Sequence, residues 1–140
     1  MKNDVLKNLL KIFDEKGLSL LVFRESDILF ESSESGLKPI IKVYKMIGDL
    51  SGCTVIDKLL GKAAAFFLLK MQPSHVHARI ISEPAFELLK EQRIPFTYEK
   101  VIPYVMSKDG KDLCPFEKLL LNVNDPEKAI KIVLSKFTFS

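Results

Sequence analysis

The chain has 140 residues, of which 47% are hydrophobic and 28% are charged, and its formal net charge at pH 7 is +3. This length fits a single globular domain spanning residues 1–140. The charge is too small to indicate nucleic-acid binding, and no apolar run approaches the roughly 20 residues that cross a bilayer. Residues 1–4 begin no signal-peptide hydrophobic region, so we expect a cytoplasmic protein with neither nucleic-acid nor membrane partners.

The first half of the chain predicts a helix, a hairpin and a second helix. Residues 3–16 place apolar side chains at helical spacing. Residues 18–24 and 28–31 are two β-prone runs, separated by a short polar turn, which predict a strand hairpin. Helical spacing returns over residues 37–50, and residues 53–56 predict a short extended piece.

Residues 57–69 are the most informative segment, because a charged, glycine-containing start runs into a nearly all-apolar sequence. The pattern predicts a buried central helix with Asp57 as its N-cap. The first backbone N–H groups of a helix have no partner within it, and the helix dipole is positive at that end. We therefore expect a polar or anionic ligand there, with Lys58, Gly61 and Lys62 as binding residues.

The second half of the chain alternates predicted strands and helices. Strands are predicted at 76–81 and 96–101, and helices at 85–92, at 114–121 and from 124 onwards. A hairpin followed by strands that alternate with helices is typical of an α/β fold. We expect a three-layer α/β/α sandwich with a mixed sheet.

Two further predicted helix starts carry polar side chains. Ser82 is a favoured N-cap and Glu83 is an acid in the first turn, so capping alone explains both, with a ligand site as the alternative. Cys114 stands before Pro115 at the other start, and Glu117 can reach back toward it as in a capping box. A thiol at a helix start is also a candidate nucleophile.

The polar groups of the three helix starts would form one site if the starts face one another. In that hypothesis Asp57 or Glu83 acts as general acid or base, and Cys114 acts as nucleophile. Ser82 and Glu117 then bind the ligand together with the residues of the central helix.

Metal binding has weak support in the sequence. His75 and His77 are two apart on a predicted strand and face the same side, but two ligands without an identifiable third make a poor metal site. Cys53 and Cys114 lie 61 positions apart, and the chain has no Cys-x-x-Cys. We therefore expect no metal and no cofactor, and a redox function would require the two thiols to approach.

Four strings of residues form a recognisable set: Thr54-Val55-Ile56-Asp57-Lys58, Gly61-Lys62-Ala63-Ala64-Ala65, Ile81-Ser82-Glu83 and Cys114-Pro115-Phe116-Glu117. Together they resemble a small bacterial and archaeal family known only as a domain of unknown function, DUF1893. The resemblance spans essentially the whole chain and implies a fold similar to that of cytidine deaminase.

The zinc deaminases of that fold place their metal ligands at two helix starts. One start carries a His or Cys followed two residues later by a catalytic Glu, and the next carries Pro-Cys-x-x-Cys. The corresponding starts here are Asp57-Lys58 and Ser82-Glu83-Pro84, which supply neither imidazole nor thiolate. His77-Ala78-Arg79 has an arginine where a His-x-Glu motif has its acid. The resemblance therefore implies a zinc-free domain.

Two classes of function follow. The first is a zinc-free, deaminase-like domain that binds a small polar or anionic ligand, such as a nucleotide or base, with a hydrolase-type reaction if it is an enzyme. The alternative is a non-catalytic binding or assembly module. Apolar residues on the last helix, such as Ile132 or Phe137, would then join subunits of a homo-oligomer.

Overall fold

A computed structural model describes residues 3–137, and the ends of the predicted domain, residues 1–2 and 138–140, lie outside the described part. Five strands and six helices make up that part. The strands are β1 (Leu20–Arg24), β2 (Asp27–Ser32), β3 (Thr54–Leu60), β4 (His75–Ser82) and β5 (Phe96–Ile102). The helices are α1 (Asn3–Glu15), α2 (Lys38–Met46), α3 (Lys62–Met71), α4 (Glu83–Glu91), α5 (Pro115–Leu120) and α6 (Pro126–Lys136).

The strands form one mixed sheet in the order β2-β1-β3-β4-β5. Strand β1 is antiparallel to both of its neighbours, whereas β3, β4 and β5 run parallel to one another. The predicted α/β class and mixed sheet are thereby confirmed. Because α3 and α4 each follow a parallel strand, both helices begin at the sheet edge where the carboxyl ends of those strands meet.

Helices cover both faces of the sheet. Alternating residues of β1 show this, since Leu20 and Val22 join the larger apolar cluster, whereas Leu21 and Phe23 join a smaller cluster with residues of α1. The larger cluster contains buried side chains from α2 through α6. A fully buried side chain of this size contributes about 1.5–3 kcal/mol, so both clusters stabilise the layers.

Helix α3 is the central helix of the larger cluster, as the apolar sequence predicts. Its residues are buried from Lys62 through Leu69, and it contacts α2, α4, α5 and α6. The three consecutive alanines from Ala63 to Ala65 are all buried, and their small side chains permit close packing.

The predicted start of this helix at Asp57 is wrong. Asp57 lies within β3, where it pairs with Leu20 of β1 and Ala78 of β4, and the N-cap of α3 is Gly61. Pairing on both sides satisfies the strand backbone, and this tertiary gain outweighs the local preference of an aspartate for an N-cap. Lys58 is consequently a strand residue and shares no helix face with the lysine at 62.

The last helix packs against the protein's own core through the apolar residues that the assembly hypothesis assigns to a partner subunit. Ile132 and Phe137 are partly buried and pack against the larger cluster, and the Phe137 ring stacks on Phe116 with the centroids 5.1 Å apart. They are less exposed than the assembly hypothesis assumes, and their contact with a partner subunit stays a prediction. In the described part of the chain, no helix has the length and apolar character needed to cross a membrane.

Candidate functional site

A cleft of about 1000 Å³ opens beside the N-terminus of α3. Its walls come from the end of β3, the first turn of α3, residues 33–40, residues 105–108 and the segment that begins α5. Five of the residues predicted to form a site line this one cleft: Asp57, Lys58, Gly61, Cys114 and Glu117. The fold thus brings together groups that lie up to 60 positions apart in the sequence.

Asp57 is a buried carboxyl group on the wall of the cleft. Only 8% of the residue is exposed, and its Oδ1 atom accepts a hydrogen bond from the backbone N–H of Leu59 at 3.2 Å. Burial raises the pKa of Asp57 to about 7, against the opposing effect of the backbone N–H groups at Leu59 and Lys58. At neutral pH this group is present both as acid and as base, which suits it for proton transfer.

Glu117 is the second buried carboxyl group of the cleft, with 2% of the residue exposed. Its Oε1 atom accepts a hydrogen bond from the backbone N–H of Lys62 at 3.1 Å, so that Glu117 caps α3 from another helix. The predicted capping box within its own helix is therefore wrong. Burial raises the pKa of Glu117, while the backbone N–H and the positive charge of Lys62 oppose the shift.

Gly61 allows this close approach of Glu117. A Cβ atom at position 61 would lie 2.6 Å from Glu117 Oε1 and 2.9 Å from Val105 Cγ2. The position has a φ of −101°, which any residue can adopt, so available space and not backbone conformation is what a glycine provides here. The glycine in the sequence motif thus marks a contact between α3 and the segment preceding α5.

Lys62 holds the structure together and does not line the cleft. Its ammonium Nζ atom donates to the backbone carbonyl oxygens of Leu120 at 2.7 Å and Leu121 at 3.2 Å, at the end of α5. Burial lowers the pKa of Lys62, and the nearby Glu117 opposes the shift. In this arrangement the lysine satisfies carbonyl groups of the chain, and it is not among the residues that line the cleft.

The two cysteines are free and occupy different environments. Cys53 is fully buried, whereas Cys114 is partly exposed and lines the cleft at the N-cap position of α5. They form no disulfide, so the pairing that a redox function would require is absent from the structure. Cys114 shares the cleft with Asp57 and Glu117, as the sequence predicts for a candidate nucleophile.

The helix start at Ser82 has a capping role. The Ser82 hydroxyl accepts a hydrogen bond from the backbone N–H of Ala85 at 3.3 Å, and the serine is fully buried. Glu83 is an exposed acid in the first turn of α4, where it complements the helix dipole. Neither residue lines the cleft, so the three predicted helix starts do not all meet there.

Sequence reasoning missed the opposite wall of the cleft. Residues 33–40 and 105–108 both contribute to it, and Phe116 adds an aromatic surface. Residues 105–108 carry no local pattern of a binding site. Pairing with the segment before α5 brings them into place, through the 2.9 Å bond from the Cys114 N–H to the Val105 carbonyl and the bridge between Met106 and Leu113. The polar run Ser-Ser-Glu-Ser-Gly at residues 32–36 is the one local sequence feature that marks part of this wall.

The two histidines share a face of β4, as their spacing predicts. His75 Nε2 and His77 Nδ1 both contact the Thr97 hydroxyl, at 2.9 and 2.7 Å, and His77 Nε2 lies 2.8 Å from Glu99 Oε2. Burial lowers the pKa of His75, and the neighbouring His77 lowers it further. These ring nitrogens therefore belong to a hydrogen-bonded network that ties β4 to β5.

The described residues contain no group of three His, Cys, Asp or Glu side chains able to hold a metal ion. The two helix starts that would carry the deaminase zinc ligands have Gly61, Lys62 and Ala63 at one and Ser82 and Glu83 at the other. The amide and ammonium groups of Lys62 and the hydroxyl group of Ser82 are already engaged in capping or in contacts with carbonyl groups. A zinc ion of the deaminase type does not fit this set of residues.

Comparison with known proteins identifies the family. Residues 8–137 match the family described as a domain of unknown function, DUF1893 (TM1506). The crystal structure of the DUF1893 family protein TM1506 from Thermotoga maritima is similar to this chain, with 52% sequence identity and a TM-score of 0.94. The similarity covers 98% of this chain and 92% of the Thermotoga chain. No protein with a curated function matches. The chain therefore belongs to the DUF1893 family.

Proposed function

We propose that the cleft beside α3 binds a small polar ligand of the nucleotide or nucleobase class and that Asp57 exchanges a proton with it. The single observation that carries the proposal is a buried carboxyl group with a pKa of about 7 on the wall of a cleft of about 1000 Å³. Perturbed acids concentrate at functional sites, because burial that is costly for stability is retained where proton transfer needs it.

The size and lining of the cleft support a small molecule as the ligand. Its volume lies in the range typical of ligand sites, and apolar residues such as Pro39 and Phe116 alternate with a few polar groups on its walls. The mixture suits a flat, partly apolar ring with polar edges. The base or nucleotide expected from the deaminase resemblance has this character.

The groups needed for a hydrolase-type reaction are present on the same walls. Asp57 would serve as general acid or base, and the thiol of Cys114 would supply a nucleophile. Glu83, the other acid considered from sequence, is exposed and lies outside the lining, so Asp57 is the better candidate for the proton transfer.

An assembly function through the last helix is less well supported. Ile132 and Phe137 pack against the protein's own larger apolar cluster, which leaves only part of each side chain for contact with a second subunit. Light scattering of the purified chain measures the oligomeric state directly. A stable oligomer that an Ile132→Ser change dissociates would restore the assembly hypothesis.

A thermal-shift screen with nucleobases, nucleosides, nucleotides and small phosphorylated metabolites tests the ligand proposal. We expect at least one compound of the nucleobase class to raise the Tm of the wild-type chain, because a ligand that binds only the folded state stabilises it. Asp57→Asn keeps the shape of the side chain but removes the titrating proton, so it should abolish or strongly reduce that shift.

Asp4→Asn is the matched control, since Asp4 is an exposed aspartate in the first turn of α1. It should leave the ligand-induced shift unchanged. The proposal fails if no compound of the class stabilises the wild-type chain, or if the Asp57 and Asp4 variants respond to the ligand alike.

A further inference from the structure

We propose that strand β5 pairs with β5 of a second copy of this chain, antiparallel about a two-fold axis at Tyr98. The sheets of the two copies would then continue into one another as one sheet of a homodimer. No residue of β5 lines the cleft, so this surface is separate from the ligand site and the pairing does not depend on the ligand proposal. The free backbone of the strand, its exposed apolar residues and its charges support the pairing.

The outer side of β5 is an unpaired strand edge. β5 is the last strand of the sheet, and in the described part of the chain only β4 pairs with it. The Val76 N–H donates to the Pro95 carbonyl at 3.0 Å, and Val76 lies opposite Phe96. In a parallel ladder alternate residues bond to a given neighbour, so the N–H and C=O groups of Phe96, Tyr98 and Lys100 point away from β4. Such an edge is a template for another strand.

Exposed apolar side chains are concentrated on β5 and the segment that follows it. Tyr98 is 45% exposed and Val101 is 38% exposed. Tyr104 and Met106 follow within a few positions, at 38% and 46%. A concentration of apolar surface of this kind is typical of a contact between proteins. The side chains as well as the backbone of this edge therefore favour a partner.

The opposite edge of the sheet is less suited to pairing. Strand β2 pairs with β1 through a register shift between Val22 and Phe23. Irregularities of this kind twist an edge strand and hinder the addition of a further strand. β5 pairs with β4 from Phe96 to Ile102 without such a shift. A regular edge accepts a new strand more readily, so β5 is the edge that we expect to be covered.

The charges of β5 select a register that fits a second copy of the same strand. Like charges directly opposite one another destabilise a sheet. An axis at Glu99 or at Lys100 would place identical charges opposite each other. An axis at Tyr98 instead places Thr97 opposite Glu99 of the second copy, and Phe96 opposite its Lys100. The strand is thus complementary to itself in this register.

The same register uses every outward-pointing backbone group from Phe96 to Lys100. Each closely spaced residue pair exchanges two hydrogen bonds, so about six would join the strands. At the axis the two Tyr98 rings would meet. Within each copy the Tyr98 ring already contacts Phe86 and Phe96, with centroid distances of 5.3 and 6.1 Å. An ammonium group opposite the Phe96 ring adds a cation–π attraction.

Light scattering after size-exclusion chromatography of the whole chain tests the pairing. We expect the wild type to have twice the mass of one chain and to dissociate on dilution. Tyr98→Lys places two ammonium groups opposite each other at the axis, so the dimer should be at least about tenfold weaker. Tyr98→Pro removes an outward N–H that β4 does not use and should also weaken the dimer. Circular dichroism shows whether each variant keeps the fold.

Leu29→Lys is the matched control. Leu29 is 44% exposed and lies on β2, the other edge strand, so the same new charge is added to an edge that we do not expect to pair. It should leave the dimer unchanged. Dissociation by Leu29→Lys to the same extent as by Tyr98→Lys would overturn the proposal, because the β5 edge would then have no special role.

Disulfide trapping tests the register. The background is Cys114→Ser, because Cys114 is partly exposed whereas Cys53 is fully buried. Tyr98→Cys should give a disulfide-linked dimer on oxidation, since the Cα atoms of a directly opposite pair are about 5.5 Å apart. Lys100→Cys should not, because the two positions would be about 13 Å apart along the strands. Linkage at position 100 but not at position 98 would contradict an axis at Tyr98.

A wild-type chain that is monomeric at every concentration overturns the proposal. A dimer that remains as tight in Tyr98→Lys as in the wild type also overturns it. A dimer that Ile132→Ser dissociates and Tyr98→Lys does not would place the interface on the last helix instead of β5.

Discussion

The carboxylate of Glu117 accepts a hydrogen bond from the backbone N–H of Lys62 across 55 positions of sequence. The same lysine donates through its side chain to the carbonyl oxygens of Leu120 and Leu121. Together these contacts tie both ends of the short helix α5 to the first residue of α3. The wall of the cleft that contains Glu117 is therefore positioned by the start of the central helix. A substitution at either place should change the structure or stability of the other.

Gly61→Ala should destabilise the protein by about 1–3 kcal/mol, the usual cost of inserting a methyl group into a packed site. The new Cβ would lie 2.6 Å from Glu117 Oε1, so the carboxylate must leave the cap of α3. Denaturant unfolding gives the free energy of unfolding. In a Glu117→Ala background the cost of the added methyl should fall, which a double-mutant cycle measures as a coupling between the two sites.

Gly36→Ala provides the contrast for that cycle. A Cβ at position 36 meets nothing within 4 Å, and the cost there arises from its φ of +80°. Gly36→Ala should change the free energy of unfolding by the same amount in the wild type and in the Glu117→Ala background. Equal coupling for the two glycines would contradict the close approach at Gly61.

Lys62→Met should lower the free energy of unfolding by about 1–3 kcal/mol, because the carbonyl groups of Leu120 and Leu121 lose a charged donor in a partly buried place. Hydrogen exchange should show the loss most strongly in α5. Lys70→Met removes an exposed lysine that pairs with Glu127, and a surface pair of this kind contributes about 0–1 kcal/mol. If the Lys62 variant were as stable as the Lys70 variant, the structural role of Lys62 would be wrong.

Asp57→Asn should make the protein more stable at pH 8 and leave its stability near pH 4 almost unchanged. Burial raises the pKa of Asp57 from 3.8 to about 7, so the folded state binds the proton more tightly than the unfolded state does. The contribution of Asp57 to the free energy of unfolding therefore falls as the pH rises between about 4 and 7. Above that range the destabilisation by the buried, ionised carboxylate is constant. The full shift corresponds to roughly 4 kcal/mol as an upper bound.

The difference between the variant and the wild type isolates Asp57 in that experiment. Glu117 lines the same cleft, its pKa is also raised, and it titrates in both proteins. Unfolding curves at several pH values give the two stability profiles. A difference that does not change between pH 4 and pH 8 would contradict the raised pKa.

The sequence predicts the classes of the elements better than it predicts where the central helix begins. Apolar periodicity correctly predicts the hairpin, the buried α3 and the mixed α/β class, because these depend on local patterns. Local pattern places Asp57 in the wrong element, because an aspartate before a helix is typical of an N-cap whether or not it lies in a strand. Only its pairing with Leu20 and Ala78, which are distant in sequence, extends β3 through it.

The sequence predicts the residues of the cleft only in part, because contacts between segments that are distant in sequence leave no local pattern. Asp57, Gly61, Cys114 and Glu117 were recognised by residue type and do line one cleft. Their partners could not be read from the sequence. The capping of α3 by Glu117 depends on how two separate segments pack, and local spacing pointed instead to a cap within its own helix.

The two thiols report on occupancy of the cleft. Cys53 is fully buried and should not react with iodoacetamide in the folded protein, whereas Cys114 is partly exposed in the cleft and should react. A ligand that fills the cleft should slow the alkylation of Cys114 by roughly tenfold at ten times its Kd, by mass action. Mass spectrometry of the labelled chain distinguishes the two sites, and both should label after unfolding. A ligand whose binding requires Asp57 but which leaves the Cys114 rate unchanged would show that the two residues do not share a ligand site.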